Sequence, residues 1–324
     1  MTKAAMIEAS ILQFPSYNKF DKHLLVDFIE LRCIMNLDRS IVLSELKDIF
    51  TIEDGEVNLN FDLDAASESS IADQHDRNEG LLVDLFRHMH SRQKHYDDRY
   101  PFTVKDGEIA LKETLDDGHM AYLYLLLCSH LKYIAKEHHA NLTSEFEYVS
   151  LKCLEKLLVE HYRIFIFGKN SKIRSDRYKG NAIRRLEILA EDLGGILRVG
   201  AADFPTTSTG DSGIDIIGWF NPWDQTKTQP VLVAQCKCSD EWPVVKDARS
   251  RLHELMHLND EVSNYFMIPF HYRKTSNDWH NAASAGRKCL IDRERFIKSF
   301  PLEAFKECKS FALVKDFVQA RLAA

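Results

Sequence analysis

The sequence predicts an α/β core with one sheet in its C-terminal half and a mainly α-helical N-terminal domain. Apolar residues recur every three or four positions through much of the first half, which is typical of amphipathic helices. In the second half, helical periodicity alternates with short apolar runs that are typical of buried strands. The charge also changes: residues 1–150 hold 15 Lys and Arg against 27 Asp and Glu, whereas residues 151–324 hold 27 against 22.

Amphipathic periodicity in the first half predicts helices over residues 20–35, 40–50, 81–95, 115–137 and 146–161. Around Asp54-Gly55 the apolar residues alternate instead, which predicts a small hairpin. We expect these elements to form one domain over residues 1–160. Because this domain is strongly acidic, we expect it to be an accessory domain that binds a protein partner or a second copy of the chain.

In the second half, the pattern of apolar residues predicts a helix, three strands, a helix and a strand, in that order. The first helix, over residues 181–193, ends at Gly194-Gly195 because glycine readily takes the left-handed conformation of a helix stop. The elements that follow are strands over 196–199, 214–220 and 231–238, a helix over 244–258, a strand over 265–269, a helix over 281–287 and a short strand over 290–291. We expect a second domain over residues 161–300 and a C-terminal helix within 301–324 that packs on it.

Composition and length exclude several classes of protein. With 324 residues, 45% of them hydrophobic, the chain can bury a sizeable core. The longest apolar run, residues 121–128, is too short to cross a bilayer, and the N-terminal stretch lacks the features of a secretory signal. Seven cysteines without a C-x-x-C pair favour a reducing compartment. We therefore expect a cytoplasmic protein that makes no contact with membranes.

The densest cationic stretch lies between residues 163 and 185, where eight basic residues accompany a single acid, Asp176. Lys and Arg neutralise phosphates and release counterions, so this stretch predicts a surface for double-stranded DNA, although a solvated loop and helix face has the same composition. The helix predicted over 244–258 adds a basic flank. The residues that we expect to contact DNA are Lys169, Lys172, Arg174, Arg177, Lys179, Arg184, Lys246, Arg249 and His253.

Two predicted strands carry polar side chains that could meet. Asp215 interrupts the apolar run 214–217, and Gln235 and Lys237 lie at the end of the run 231–238. Because strand side chains alternate between faces, Gln235 and Lys237 point to the same side. A buried carboxylate is costly unless it is paired or metal-bound. If the strands are neighbours, carboxylate and amide oxygens can hold Mg²⁺, for which Mn²⁺ can substitute, while Lys237 orients the attacking water in phosphodiester hydrolysis.

The segments GDSGIDIIGWF and VLVAQCKCS resemble the core of the PD-(D/E)xK nuclease superfamily, in particular the Mrr-type restriction endonucleases. The resemblance covers residues 178–300. It implies a restriction-endonuclease-like fold, with a central mixed sheet flanked by helices, and a Mg²⁺-dependent DNA endonuclease of bacterial restriction or anti-phage defence. By resemblance, Asp215 is the metal-binding aspartate, Gln235 replaces the usual second acid, Lys237 is the catalytic lysine, and Glu187 is the acid on the preceding helix that also binds the metal.

Two alternatives stay open. Gln235 removes one negative charge from the family pattern, so the chain could be a catalytically weak DNA-binding or scaffold protein with a nuclease fold. The second alternative is a zinc metalloprotease, because residues 253–257 match the H-E-x-x-H motif. No third ligand pattern follows that motif, and its histidines share the helix flank that carries Lys246 and Arg249, which favours the nuclease.

Overall fold

The computed structural model describes residues 21–52, 69–158, 160–168, 176–204, 213–221, 229–259, 261–286 and 288–319 of the chain. The chain divides into two compact units, and neither is continuous in sequence. The first unit consists of Met1–His138, Phe270–Asn281 and Phe311–Ala324, and the second unit consists of His139–Pro269 and Ala282–Ser310.

The first unit combines helices with a small antiparallel sheet. Its elements are α1 (Lys22–Met35), β1 (Ser40–Val42), α2 (Leu43–Ile52), α3 (Ser69–Tyr96), β2 (Phe102–Lys105), β3 (Glu108–Leu111) and α4 (Asp117–Ser129). The strands pair in the order β1–β3–β2. Asp106 and Gly107, which join β2 to β3, both have positive φ angles of 52° and 78°, as a tight two-residue hairpin turn requires.

The second unit is mixed α/β. In chain order, its elements are α5 (Lys136–Leu157), β4 (Tyr162–Ile166), α6 (Ala182–Leu193), β5 (Ile196–Leu197), β6 (Ile216–Phe220), β7 (Val231–Cys236), α7 (Ala248–Leu255), β8 (Met256–His257), β9 (Val262–Met267), α8 (Ala282–Ala285), β10 (Cys289–Ile291), α9 (Arg293–Lys298) and α10 (Leu302–Lys306). The last helix, α11 (Lys309–Gln319), begins in the second unit and continues in the first.

Five strands of the second unit form one mixed sheet, in the order β10–β9–β7–β6–β4. β6 runs antiparallel to both β4 and β7, whereas β9 runs parallel to both β7 and β10. The last residue pair of the β6–β7 ladder is Ile216 with Ala234. Asp215 and Gln235 therefore lie one position beyond this pair, at the same end of two central strands.

Helices α6 and α7 cover one face of this sheet. Leucines of both helices form one buried cluster with side chains of β6 and β7. The cluster includes Leu186, Leu189, Leu193, Ile217, Trp219, Val231, Val233, Leu252 and Leu255. Gln235 is two positions after Val233 in β7, so its side chain leaves the strand on the same face as Val233. The side chain of Cys236 points to the opposite face. The polar end of β7 is thus a continuation of a buried apolar strand, which explains why Gln235 is only 1% exposed.

The helix predicted over 181–193 is confirmed together with its start and its stop. The side chain of Asn181 accepts a hydrogen bond from the backbone N–H of Arg184 at 3.0 Å, which satisfies a free donor of the first turn. At the other end, Gly194 takes a left-handed conformation with φ of 66°.

Several predicted elements of the first half are wrong in detail. The helix predicted over 40–50 begins with β1, because residues 40–42 pair with β3. The helix predicted over 115–137 is two helices, since α4 ends at Ser129 and α5 begins at Lys136. The β2–β3 hairpin was not predicted, although its Asp-Gly turn is a strong local signal. The hairpin predicted around Asp54-Gly55 lies outside the described residues.

In the second half, the order of strands in the sheet differs from the prediction. The strand predicted over 196–199 does not join the central sheet; β5 pairs with β8 instead. The place beside β6 is taken by β4, which comes before α6 and lies within the cationic stretch. The helix predicted over 244–258 ends at Leu255, where the chain turns into β8.

The division expected at residues 160 and 300 differs from the compact units. Residues 139–160 belong to the second unit, whereas residues 270–281 and 311–324 belong to the first. One contact that ties the C-terminal segment to the first unit is a hydrogen bond from Arg39 Nη2 to the carbonyl of Val318, at 3.1 Å. Because the chain passes back and forth between the units, no single change of composition marks their border.

Two further observations bear on the expected class of protein. No helix within the described ranges is both long and apolar enough to cross a membrane. All seven cysteines fall in those ranges, and each is a free thiol.

Candidate active site

Asp215 is held by backbone hydrogen bonds where two strands end. Its N–H donates to the carbonyl of Ala234, with a distance of 3.1 Å between N and O. Its own carbonyl accepts from the N–H groups of Phe167 and Gly168, at 2.8 and 3.0 Å, and these two residues directly follow β4. The residue is 4% exposed, so its carboxylate depends on protein groups or a bound cation for compensation of its charge.

Two such groups come from the end of β7. The backbone N–H of Cys236 donates to Oδ2 of Asp215 at 2.8 Å. The ammonium Nζ of Lys237 lies 3.7 Å from the same oxygen. Lys237 is itself anchored, because its N–H donates to the carbonyl of Met267 in β9 at 3.0 Å. The structure thus brings together Asp215 and Lys237 at the place where the strand pattern predicted that they could meet.

A second acid, which we did not identify from the sequence, approaches Asp215 from α5. A β-carbon added to Gly168 would lie 3.2 Å from Oε2 of Glu147 and 3.5 Å from Oδ1 of Asp215. Both carboxylates therefore border the same small space above Gly168. Glu147 is 7% exposed. Two buried carboxylates beside one ammonium are typical of a site for a divalent cation.

The thiol of Cys236 lies close enough to both acids to feel their charges. Its pKa is raised well above the ordinary value, first by burial and then by the negative charges of Asp215 and of Glu147. Cys236 points to the face of the sheet opposite the α6–α7 core, and Ser150 of α5 lies beside it. Helix α5 therefore delivers Glu147 and Ser150, one turn apart, to the polar end of β7.

The sequence does contain a signal for Glu147. Within the helix predicted over 146–161, Glu147, Ser150 and Leu154 are spaced by three and four residues, so two polar side chains lie on one stripe with an apolar one. All three are buried in the structure. The neighbouring Glu145 has a different task, because its carboxylate accepts hydrogen bonds from the N–H groups of Lys309 and Ser310 at the start of α11.

Gln235 offers an amide oxygen at the same end of β7, on the face of the sheet that α6 and α7 cover. Its Nε2 donates to the carbonyl of Lys246 at 3.2 Å and lies 3.7 Å from the position of a β-carbon on Gly213. Its Oε1 is buried and makes no hydrogen bond with any group in the described part of the chain. A buried amide oxygen without a donor can serve as a ligand for a hard cation.

Glu187 is not among the groups that surround Asp215. It lies on the exposed side of α6, where its carboxylate pairs with Arg184 at 3.0 Å and is 47% exposed. The buried side of α6 is occupied by leucines that pack on the sheet. The resemblance had assigned the helix acid to Glu187, but in this structure the acid that borders Asp215 comes from α5. We name Asp215, Glu147 and Lys237 the Asp215 cluster; Gln235 lies at the same end of β7.

The basic residues expected to contact DNA are in different situations. Lys169, Lys172 and Arg174 lie outside the described residues. Four others are engaged in ion pairs: Arg177 with Asp192, Lys179 with Asp176, Arg184 with Glu187 and Lys246 with Glu254. Arg249 and His253, both on α7, are half-buried and form no ion pair with a described residue.

The H-E-x-x-H segment does not form the helical arrangement that a zinc metalloprotease requires. That arrangement needs two histidines one turn apart on a helix. Helix α7 ends at Leu255, and His257 lies in β8, paired with Ile196. The carboxylate of Glu254 is paired with Lys246 and Arg251. The structure therefore removes the geometric basis of the metalloprotease alternative.

Comparisons with protein-family models, with curated proteins and with solved structures found no match to this chain. Its function must therefore be inferred from the chemistry of the Asp215 cluster.

Proposed function

We propose that this chain is a Mg²⁺-dependent endonuclease that hydrolyses phosphodiester bonds of double-stranded DNA. The observation that carries the proposal is the convergence of three charged groups: the carboxylates of Asp215 and Glu147 border one space, and the ammonium of Lys237 lies 3.7 Å from Asp215. Buried carboxylates that face each other repel unless a cation compensates them. These two carboxylates and the ammonium of Lys237 together carry one negative charge, which attracts a divalent cation.

The donor set fits Mg²⁺, and Mn²⁺ can substitute for it. Hard divalent cations prefer oxygen ligands. Asp215 and Glu147 offer carboxylate oxygens, and Gln235 offers a buried amide oxygen that lacks a donor in the described part of the chain. Glu147 also restores the negative charge that Gln235 removes from the family pattern. This favours an active enzyme over the catalytically weak scaffold.

Each group of the cluster would have a defined task in hydrolysis. Mg²⁺, when bound, polarises a phosphate oxygen and lowers the pKa of a bound water. Lys237 carries three N–H donors, which can orient an attacking water and stabilise the charge that develops on the phosphate. The hydrogen bond from the N–H of Cys236 to Oδ2 holds the carboxylate of Asp215 in one orientation before substrate arrives, so little reorganisation is needed during the reaction.

The order of elements around the site supports a restriction-endonuclease-like core as part of the same proposal. Helix α6, strands β6 and β7, helix α7 and strand β9 follow one another in the chain, and the three strands are neighbours in a mixed sheet. The resemblance adds a role in restriction or anti-phage defence. We assign the binding of a protein partner or of a second copy to the acidic first unit.

Arg249 and His253 support DNA as the substrate. They lie on α7, the helix that follows β7 and Lys237. Because neither is paired with a described acid, both can bind phosphate without breaking an existing ion pair. The basic residues that already form ion pairs would have to exchange a carboxylate for a phosphate, so they contribute less to the affinity for DNA.

The experiment that tests the proposal is cleavage of supercoiled plasmid by the full chain and by Lys237→Ala and Asp215→Asn. We expect nicking by the native chain with Mg²⁺ or Mn²⁺, none with a chelator, and none by either variant. Circular dichroism should show that both variants are folded. Cleavage by Lys237→Ala at the native rate would refute the assignment. Metal-dependent DNA binding without any cleavage by the native chain would favour the scaffold alternative.

A further inference from the structure

The first unit contains a group of side chains that could hold a metal ion, and none of them belongs to the Asp215 cluster. Asp21 directly precedes α1, His23 lies in the first turn of α1, and His280 lies in the segment Phe270–Asn281. One potential ligand atom from each residue lies within 4.8 Å of the other two. Three ligand atoms from two distant parts of the sequence thus meet in one place.

The geometry of the group is close to that of a bound transition metal. Ligands about 2.0–2.1 Å from a tetrahedral zinc ion are roughly 3.3 Å from one another. Nε2 of His280 already lies 3.2 Å from Oδ1 of Asp21. The imidazole rings of His23 and His280 have their centroids 4.5 Å apart.

His23 provides an independent observation. It is only 3% exposed, and its Nδ1 makes no hydrogen bond with any described group. A buried ring nitrogen without a partner costs free energy, which a metal–nitrogen bond would recover. The ring is also held in place, because Tyr272 packs edge-on against it at 5.3 Å and Arg92 donates to the His23 carbonyl at 2.7 Å. Fixed rings favour metal binding because little side-chain freedom is lost.

The charges nearby suit one cation. The start of α1 carries the positive end of its helix dipole, which the carboxylate of Asp21 offsets. The ammonium of Lys22 is paired with Asp84, and the guanidinium of Arg92 is paired with Asp27 and Glu30. The side chains of Asp21 and His280 are 37% and 22% exposed, so an ion could enter from solvent and keep a water ligand.

We propose that Asp21, His23 and His280 bind Zn²⁺. Two imidazoles and one carboxylate are a ligand set that zinc prefers and Mg²⁺ does not. In this role the ion joins α1 to the segment Phe270–Asn281 and so stabilises the first unit where the chain returns to it.

The test uses the full chain, freed of metal by a chelator and titrated with Zn²⁺ alone. We expect the native chain and Asp215→Asn to bind one equivalent at this site. His280→Ala and Asp21→Asn should weaken that binding by at least about tenfold, because even residues that only orient a ligand cost that much. Zn²⁺ should also raise the unfolding temperature of the native chain and leave that of His280→Ala unchanged.

His280 and Asp21 are partly exposed, so both variants should remain folded, and His90→Ala on the exposed side of α3 is the control. Equal Zn²⁺ affinity for the native chain and His280→Ala would overturn the proposal, as would a native chain that binds no Zn²⁺. If Asp215→Asn failed to bind Zn²⁺ while His280→Ala and Asp21→Asn bound it normally, the zinc would belong to the Asp215 cluster instead. Plasmid cleavage is a separate measurement, so this proposal and the nuclease proposal can fail independently.

Discussion

The carboxylates of Glu147 and Asp215 border the same small space beside Gly168, although Glu147 lies on α5 and Asp215 directly precedes β6. Oε2 of Glu147 and Oδ1 of Asp215 would be 3.2 and 3.5 Å from a β-carbon on that glycine. This relationship places a second acid beside the residue that the strand pattern had singled out. It also makes Glu147 an alternative to Glu187, the acid on which the resemblance alone had drawn.

The first prediction concerns that distinction. Glu147→Gln keeps the shape of the side chain and removes its charge, so we expect plasmid cleavage to fall by about 100-fold or more, a loss typical of an electrostatic group in an active site. Glu187→Gln removes only an exposed ion pair and should cleave at nearly the native rate. If the two results were reversed, the helix acid would be Glu187, as the resemblance implies.

Glu145→Gln is the control for folding effects next to the site. Its carboxylate accepts two backbone hydrogen bonds at the start of α11. We expect a loss of about 1 kcal/mol in the free energy of unfolding, measured with urea, because a helix cap is weakened. Cleavage measured well below the unfolding midpoint should stay near the native rate.

The second prediction concerns the space above Gly168. A methyl group introduced by Gly168→Ala would lie 3.2 Å from Oε2 of Glu147 and 3.5 Å from Oδ1 of Asp215, so the carboxylate of Glu147 would have to move by a few tenths of an ångström. We expect Mg²⁺ to bind about tenfold more weakly, a cost in the range seen when metal ligands lose their positioning. The Mg²⁺ concentration that gives half-maximal cleavage measures this change.

Gly200→Ala is the matched control, because a β-carbon there would meet nothing within 4 Å. It should cleave with the native Mg²⁺ requirement. An unchanged requirement in Gly168→Ala would show that the ion, if it binds, does not lie between Glu147 and Asp215.

The third prediction concerns DNA binding by α7. Arg249 forms no ion pair with a described residue, so its charge is available for a phosphate. Arg249→Ala should weaken DNA binding at all sequences. The plot of log affinity against log salt concentration has a negative slope, and its steepness should decrease by about one. Arg87→Ala, which removes an exposed arginine paired with Asp84 in the first unit, should leave both the affinity and the slope unchanged.

The fourth prediction concerns pH and His88 of α3. Burial lowers the pKa of this histidine from 6.5 to about 3, and the positive charge of Arg92 adds to the effect. The hydrogen bond to the Arg273 carbonyl and the charge of Asp27 act in the opposite direction, and His271 faces the ring at 5.6 Å. The folded chain therefore keeps His88 neutral at pH values where the unfolded chain would bind a proton.

The sign follows from that difference. Between pH 6.5 and about 3, the unfolded state gains the proton and the free energy of unfolding falls; above pH 6.5 neither state binds it. In the native chain, protonation of His88 in the unfolded state should lower the free energy of unfolding by about 1 kcal/mol between about pH 7 and about pH 5.5. His88→Gln cannot bind this proton, so its free energy of unfolding should fall by about 1 kcal/mol less over the same range. Urea unfolding at both pH values measures this, with His90→Gln as the control; identical pH dependence in His88→Gln and the native chain would contradict it.

Local patterns in the sequence predicted the parts of the site that lie on single elements. Alternation along residues 231–238 predicted that Gln235 and Lys237 leave β7 together, and the acid within 214–217 predicted a partner on a neighbouring strand. The helix over 181–193 was predicted with its glycine stop. These features depend on the periodicity of one element and on the chemistry of its ends, which a sequence states directly.

Other features were decided only when distant segments came together. Glu147 could be predicted as buried, but not as a neighbour of Asp215, because periodicity tells which side of a helix is covered and not what covers it. For the same reason β4 joined the central sheet and the strand predicted over 196–199 did not, and His280 reached His23 only through the return of the chain to the first unit. The sequence by itself determined the strand that carries Gln235 and Lys237. The tertiary structure decided which acid completes the site, since burial of apolar faces selects the packing partner of each element.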